Sequence, residues 1–208
     1  MGILKNGIFG GFQQKTGPLT GRRVKGQNVI TGLHHSSNIP RTDAQNYHNE
    51  KFNYMFEFQQ PLKALIATGF KYAFKKGNAF TQALSYNFEH ALVDDGTEYK
   101  LDYRAFLYSK GSLEAPFNPL VSFASGSVLY KWALTSHCDY DDLASFMVYN
   151  EDQNLPMASV DTVKRSACSY ALQLPEPFAY GKIHCYMSLR SAKYRKVSNS
   201  IYVGLLTL

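Results

Sequence analysis

The first forty residues contain no Asp and no Glu. They carry Lys5, Lys15, Arg22, Arg23 and Lys25, a charge of +5, leaving 17 basic against 16 acidic side chains in residues 41–208. The net +6 of the 208-residue chain therefore belongs to its N-terminal end. A basic segment of this kind meets nucleic acid, an acidic glycan or an acidic protein surface, or is simply solvated. Long apolar runs are missing too: no stretch of about 18 apolar residues occurs, which excludes a membrane-crossing helix. Met1 to Gly11 shows neither the continuous apolar stretch nor a clear cleavage site of a secretory leader. The expectation is a chain that stays inside, leaves by a route the sequence does not reveal, or has lost a leader. Asn6 stands where a myristoylation signal needs Ser or Thr.

Chemistry-bearing patterns are also scarce. Cys138, Cys168 and Cys185 allow at most one disulfide and show no CxxC spacing, which speaks against zinc. The histidines His34, His35, His48, His90, His137 and His184 form no HExxH pattern, and GxSxG, GxGxxG and Walker loops are absent. His137-Cys138-Asp139 followed by Asp141-Asp142 reads as an exposed loop between two strands. Those carboxylates lack the glycine and distal Glu of a calcium hand. The expectation is no catalytic residue, no cofactor and no metal.

What the chain does have is aromatic residues: 15 Tyr and 14 Phe beside one Trp. Such residues favour strands and large contact surfaces. Residues 1–33 are punctuated by eight glycines, with short apolar pieces between them. This is too apolar for a linker and too rich in glycine for a core, so residues 1–41 are read as an extended basic arm that packs on something else. A helix is expected after a cap at Thr42 or Asp43, interrupted at Pro61, and a second over 78–92. Tyr99–Phe106 alternates like a strand, and residues 42–111 form a helical and strand segment.

From about Asn118 seven short runs follow: 120–124, 128–134, 145–149, 155–160, 167–174, 183–189 and 201–206. They predict a β-sandwich over 112–208, so the fold class is mainly β with a helical N-terminal part and a C-terminal immunoglobulin-like sandwich. Trp132 and Tyr186 are expected in its core. Their placement resembles a fibronectin type III module, and another Greek-key sandwich with a buried Trp fits equally.

Two stretches carry a more specific resemblance: Gly7-Ile8-Phe9-Gly10-Gly11-Phe12 running on to Gly17-Pro18 and Gly21, and the ending Val197-Ser198-Asn199-Ser200-Ile201-Tyr202-Val203-Gly204. Between them lie Ala83-Leu84-Ser85-Tyr86-Asn87 and Tyr108-Ser109-Lys110-Gly111-Ser112-Leu113. Together these resemble domain-of-unknown-function family 6266 of Bacteroidota. The resemblance implies no enzymatic activity, and an extracellular fibril built by strand exchange between copies of the chain. The assembly interface is then expected at Ile3, Ile8, Phe9, Gly10, Gly11, Phe12, Val29 and Ile30. Asp161-Thr162-Val163 resembles an O-glycosylation motif of secreted proteins from that group, which makes Thr162 the candidate acceptor. Competing readings are a glycan- or nucleic-acid-binding module that uses the basic arm and exposed aromatics, and a virion structural protein.

Overall fold

The computed structural model describes residues 3–4, 10–32, 39–73, 77–96, 98–136, 138–178 and 180–208. The chain divides into two compact units, Met1–Asp43 and Ala44–Leu208. In the first, strands β1 (Ile3–Leu4), β2 (Phe12–Thr16), β3 (Leu19–Val24) and β4 (Gln27–Gly32) pair antiparallel in chain order. Two-residue loops, Gly17-Pro18 and Lys25-Gly26, join the last three. Lys25 and Gly26 take φ of 49° and 88°, and tight hairpins need such paired positive values to match the twist of their strands. The single extended arm expected of residues 1–41 is thus, over residues 12–32, a meander that folds back twice.

The second unit begins with helices. Helix α1 (Asp43–Gln59) has the Asp43 carboxylate in its first turn, where the helix dipole favours negative charge. Pro61 ends it in a 3-10 turn, Gln60–Leu62, before α2 (Lys63–Gly69). Helix α3 (Ala79–His90) is capped by Asn78, whose side chain accepts the Phe80 N–H at 3.0 Å. A short hairpin follows, β5 (Leu92–Asp94) with β6 (Tyr99–Leu101).

All seven runs expected after residue 118 are strands: β7 (Phe117–Ala124), β8 (Ser127–Ala133), β9 (Leu143–Asn150), β10 (Leu155–Lys164), β11 (Ser169–Gln173), β12 (Lys182–Arg190) and β13 (Ile201–Thr207). They form two antiparallel sheets, in the orders β10-β9-β12-β13 and β11-β8-β7. The chain is therefore mainly β, with a β-sandwich behind a helical segment.

The four-stranded sheet is covered on both faces. Phe146 and Val148 of β9, with Ile183, Cys185 and Met187 of β12, face the other sheet and pack with Val128, Tyr130 and Trp132. Met147 and Tyr149 of β9, with Tyr186 of β12, point the opposite way and pack with Met55, Leu62, Leu65 and Ile66 of the helical segment. Side chains alternate along a strand, so neighbours in one strand serve different cores. Trp132 lies in the sandwich core, its Nε1–H bonded to the Arg165 carbonyl at 2.8 Å. The expected place of Tyr186 is corrected: its odd-even position turns it to the helical side, where its hydroxyl donates to the Tyr103 carbonyl at 2.7 Å.

This arrangement sets a graded test. Tyr186→Ala should cost about 3–5 kcal/mol by emptying a fully buried ring site. Tyr186→Phe should cost about 1–2 kcal/mol, for the lost hydroxyl bond alone. Urea unfolding measures both, and a negligible cost for the alanine variant would contradict the helical layer.

Candidate functional site

The meander places the expected interface residues by register. Residues directly opposite in paired strands share a face. Gly21 pairs with Ile30 and Leu19 with Gly32, whereas Arg22 pairs with Val29. Phe12 joins the Ile30 face, because its ring lies over Gly21: a Cβ there would stand 2.7 Å from the Phe12 Cδ2 and would strike the Phe12 carbonyl oxygen. One face thus gathers Phe12, Leu19 and Ile30, and the other carries Val29 beside Arg22. Gly11 backs onto the Asn28 side chain, and Gly10 and Gly11 are half-buried. Ile3 enters as the strand partner of Gln13. Ile8 and Phe9 lie outside the described residues.

This sheet has almost no interior. Among the described residues 10–32 only Gly21 is buried. Ile30 is 59 % exposed and Leu19 44 %. The positive side chains Lys15, Arg22, Arg23 and Lys25 are exposed as well. Leu19 and Gly21 were not among the expected interface residues; the Gly17-Pro18 turn signal just before them is the feature that would have found them.

The sandwich edges differ in character. Strand β10 carries an irregularity between Ser159 and Val163, where Asp161 takes φ 52°. The bulge is anchored: the Asp161 N–H donates to Ser145 Oγ at 2.9 Å, and Arg190 Nε–H donates to the Asp161 carboxylate at 2.8 Å. Thr162 stands exposed on this bulge, its hydroxyl bonded to that of Ser159, so its side chain reaches solvent as a modified residue must. At the other end of the sheet, β13 reads Ile-Tyr-Val-Gly-Leu-Leu-Thr, with no charge and no proline, and no described strand pairs with its outer edge. Uncharged free edges of this kind are templates for another chain.

The acidic loop is a set of clamps. Asp139 pairs with Lys193 at 3.1 Å, and Asp141 with Lys164 at 2.8 Å. Asp142 is buried and faces the buried Arg165 at 3.5 Å, which corrects the reading of the whole loop as exposed. Burial pushes the Asp142 carboxyl up, and Arg165 opposes the shift. His137 lies outside the described residues. Among the described residues no group of three His, Cys, Asp or Glu side chains could hold a metal. The three cysteines are free thiols, and burial pushes Cys185 up to about 12. His184 is sandwiched in the helical-side core: it stacks on Tyr103 at 3.8 Å, meets the Tyr202 hydroxyl through Nδ1 at 3.1 Å and Glu151 through Nε2 at 3.4 Å. Burial holds it below its ordinary 6.5, against the pull of Glu151.

Against known families, residues 11–204 match the one described as "Family of unknown function (DUF6266)". The chain belongs to that family. The DUF6266 match opens at Gly11 and closes at Gly204, so it takes in the described meander as well as the sandwich. No curated protein matches the chain.

Two outcomes are expected of this DUF6266 chain. Gly21→Ala should break the β2–β3 pairing while the second unit melts unchanged; hydrogen exchange resolves the two, and undiminished protection of Gly21's neighbours would refute the close approach. For His184, the unfolded chain takes up a proton near 6.5 whereas the folded protein resists until a lower pH. Stability should therefore fall as pH drops through that interval and be complete above it. The urea midpoint should drop as the pH falls below His184's ordinary 6.5, and His184→Asn should flatten that part of the profile.

Proposed function

We propose that the chain is a non-enzymatic structural subunit that assembles with copies of itself into an extracellular or cell-surface filament, each copy giving its N-terminal strand to a neighbour. One observation carries the reading: the first unit is a paired sheet whose apolar face, with Leu19 and Ile30, lies open to solvent. A small sheet gains independent stability by packing a hydrophobic face on something, and a second copy supplies the cover. Covering each such side chain is worth about 1.5–3 kcal/mol.

Two further features support exchange. Among the described residues strand β1 meets β2 at two register pairs, Ile3 with Gln13 and Leu4 with Phe12, so the N-terminal segment is already in strand form. The uncharged outer edge of β13 is suited to receive a strand through backbone hydrogen bonds. The seven strands in two antiparallel sheets around a buried Trp132 also support reading the sandwich as an immunoglobulin or fibronectin type III-like module.

Electron microscopy of the concentrated full chain tests this. The intact chain should form filaments, and deletion of residues 2–30 should abolish them. Ile30→Asp changes an exposed residue, so the subunit should stay folded while association weakens about tenfold or more. Normal filaments from the truncated chain would overturn the mechanism.

A further inference from the structure

The second unit contains a cavity of about 300 Å³ between the C-terminal half of α1 and the β9–β10 hairpin. Its wall is aromatic: Tyr54 and Phe58 from the helix, Tyr149 from β9, closed by Pro61 and Pro156. Phe58 and Tyr149 meet edge to face with centroids 4.7 Å apart. The volume lies at the small end of the range for ligand sites. Two polar side chains reach it, Glu57 and Asn154, and none of the lining residues is basic.

The polar groups are unequal. The Tyr149 hydroxyl donates to Asn154 Oδ1 at 2.9 Å, so that carbonyl already has a donor. Glu57 is exposed at the rim and forms no ion pair among the described residues. Burial pushes the Tyr149 hydroxyl up to about 12, with Tyr54 and the Glu151 carboxylate adding to the shift, so the ring is neutral at ordinary pH. Tyr54 is raised as well, chiefly by burial, and Glu151 contributes there too. The cavity thus combines neutral aromatic rings with the Glu57 carboxylate, which has no ion-pair partner among the described residues.

We infer that this cavity is a binding site for an organic cation, an ammonium or guanidinium group held over the Tyr54, Phe58 and Tyr149 rings and neutralised by Glu57. Ring faces attract such cations through their quadrupole, and several rings with one acid make a cage. A sugar would also stack on the rings, but it needs several converging hydrogen-bond partners, and the cavity offers one carboxylate, Glu57, and one amide, Asn154, whose oxygen already accepts from Tyr149. The cation can come as a free small molecule or as the Lys or Arg side chain of another chain. The acid-free meander of a second copy, residues 12–32 with Lys15, Arg22 and Lys25 exposed, is one such supply.

The test titrates the full chain with tetramethylammonium chloride, and separately with arginine amide, at ionic strength held constant with sodium chloride. Tyrosine resonances in the NMR spectrum report occupancy. Saturable shifts of the Tyr54 and Tyr149 signals are expected, about tenfold weaker in Glu57→Gln and absent in Glu57→Lys. Tighter binding of tetramethylammonium points to a free ligand, and tighter binding of arginine amide to a protein side chain; either upholds the site. Glu57 is exposed, so both variants should melt like the parent. No saturation beyond the sodium chloride control, an unchanged affinity in Glu57→Gln, or preferential binding of methyl glucoside would overturn the inference.

Discussion

The rest of the second unit depends on one constraint: the two central strands of the four-stranded sheet must satisfy a different core on each face. Strands β9 and β12 are buried along almost their whole length. Phe146 and Met147, adjacent in sequence, belong to different hydrophobic clusters, as do Cys185 and Tyr186. A one-residue slip in either strand would exchange the two sets and spoil both cores together. The helical segment and the three-stranded sheet are therefore tied to each other through a backbone only one residue thick. The ladder of eight pairs between β9 and β12, from Ile183 with Asn150 to Arg190 with Leu143, holds that register.

The two-sided burial also decides what could be read from sequence. The seven strands were legible because turn residues separate them, and the break at Pro61 followed from local chemistry. Tyr186 was not legible. In a strand buried on both faces hydrophobic residues follow one another without alternation, so nothing in Cys185-Tyr186-Met187 says which face is which. The meander was missed for another reason. Lys25-Gly26 is a weak turn signal compared with Asn-Gly, and the apolar pieces around it are too short to show a period. Phe12 and Ile30 stood out by their apolar character, while the face they share with Leu19 and Gly21 follows from the strand pairing that the Gly17-Pro18 and Lys25-Gly26 turns set up. The cavity beside Tyr149 drew on residues nearly a hundred positions apart, and no local motif marks it.

Charge follows a similar division. In the second unit the acids that looked most like a site are each matched to a cation from elsewhere: Lys193, Lys164 and Arg165 answer Asp139, Asp141 and Asp142. Arg165 does more than neutralise. Its carbonyl receives the Trp132 indole, its backbone N–H donates to the Asp142 carbonyl at 2.6 Å, and its guanidinium reaches Glu114 at 3.4 Å. Removing the Asp142 carboxylate would leave this buried guanidinium to the half-exposed Glu114, a larger penalty than losing a surface pair. The meander of residues 12–32 has no acid with which to build such clamps, and its cations Lys15, Arg22, Arg23 and Lys25 remain at the surface.

The anchored bulge at Asp161 has a mechanical consequence. Strand β10 meets β9 at seven register pairs, two of them beyond the bulge. Asp161 reaches Ser145 on β9 and Arg190 on β12, so one side chain and its own N–H fasten three neighbouring strands at a single level. Sliding β10 along β9 by a residue or two would have to break the Asp161 fastenings as well as the ladder. The kink in the edge strand works as a rivet, adding side-chain fastenings where the backbone ladder is interrupted.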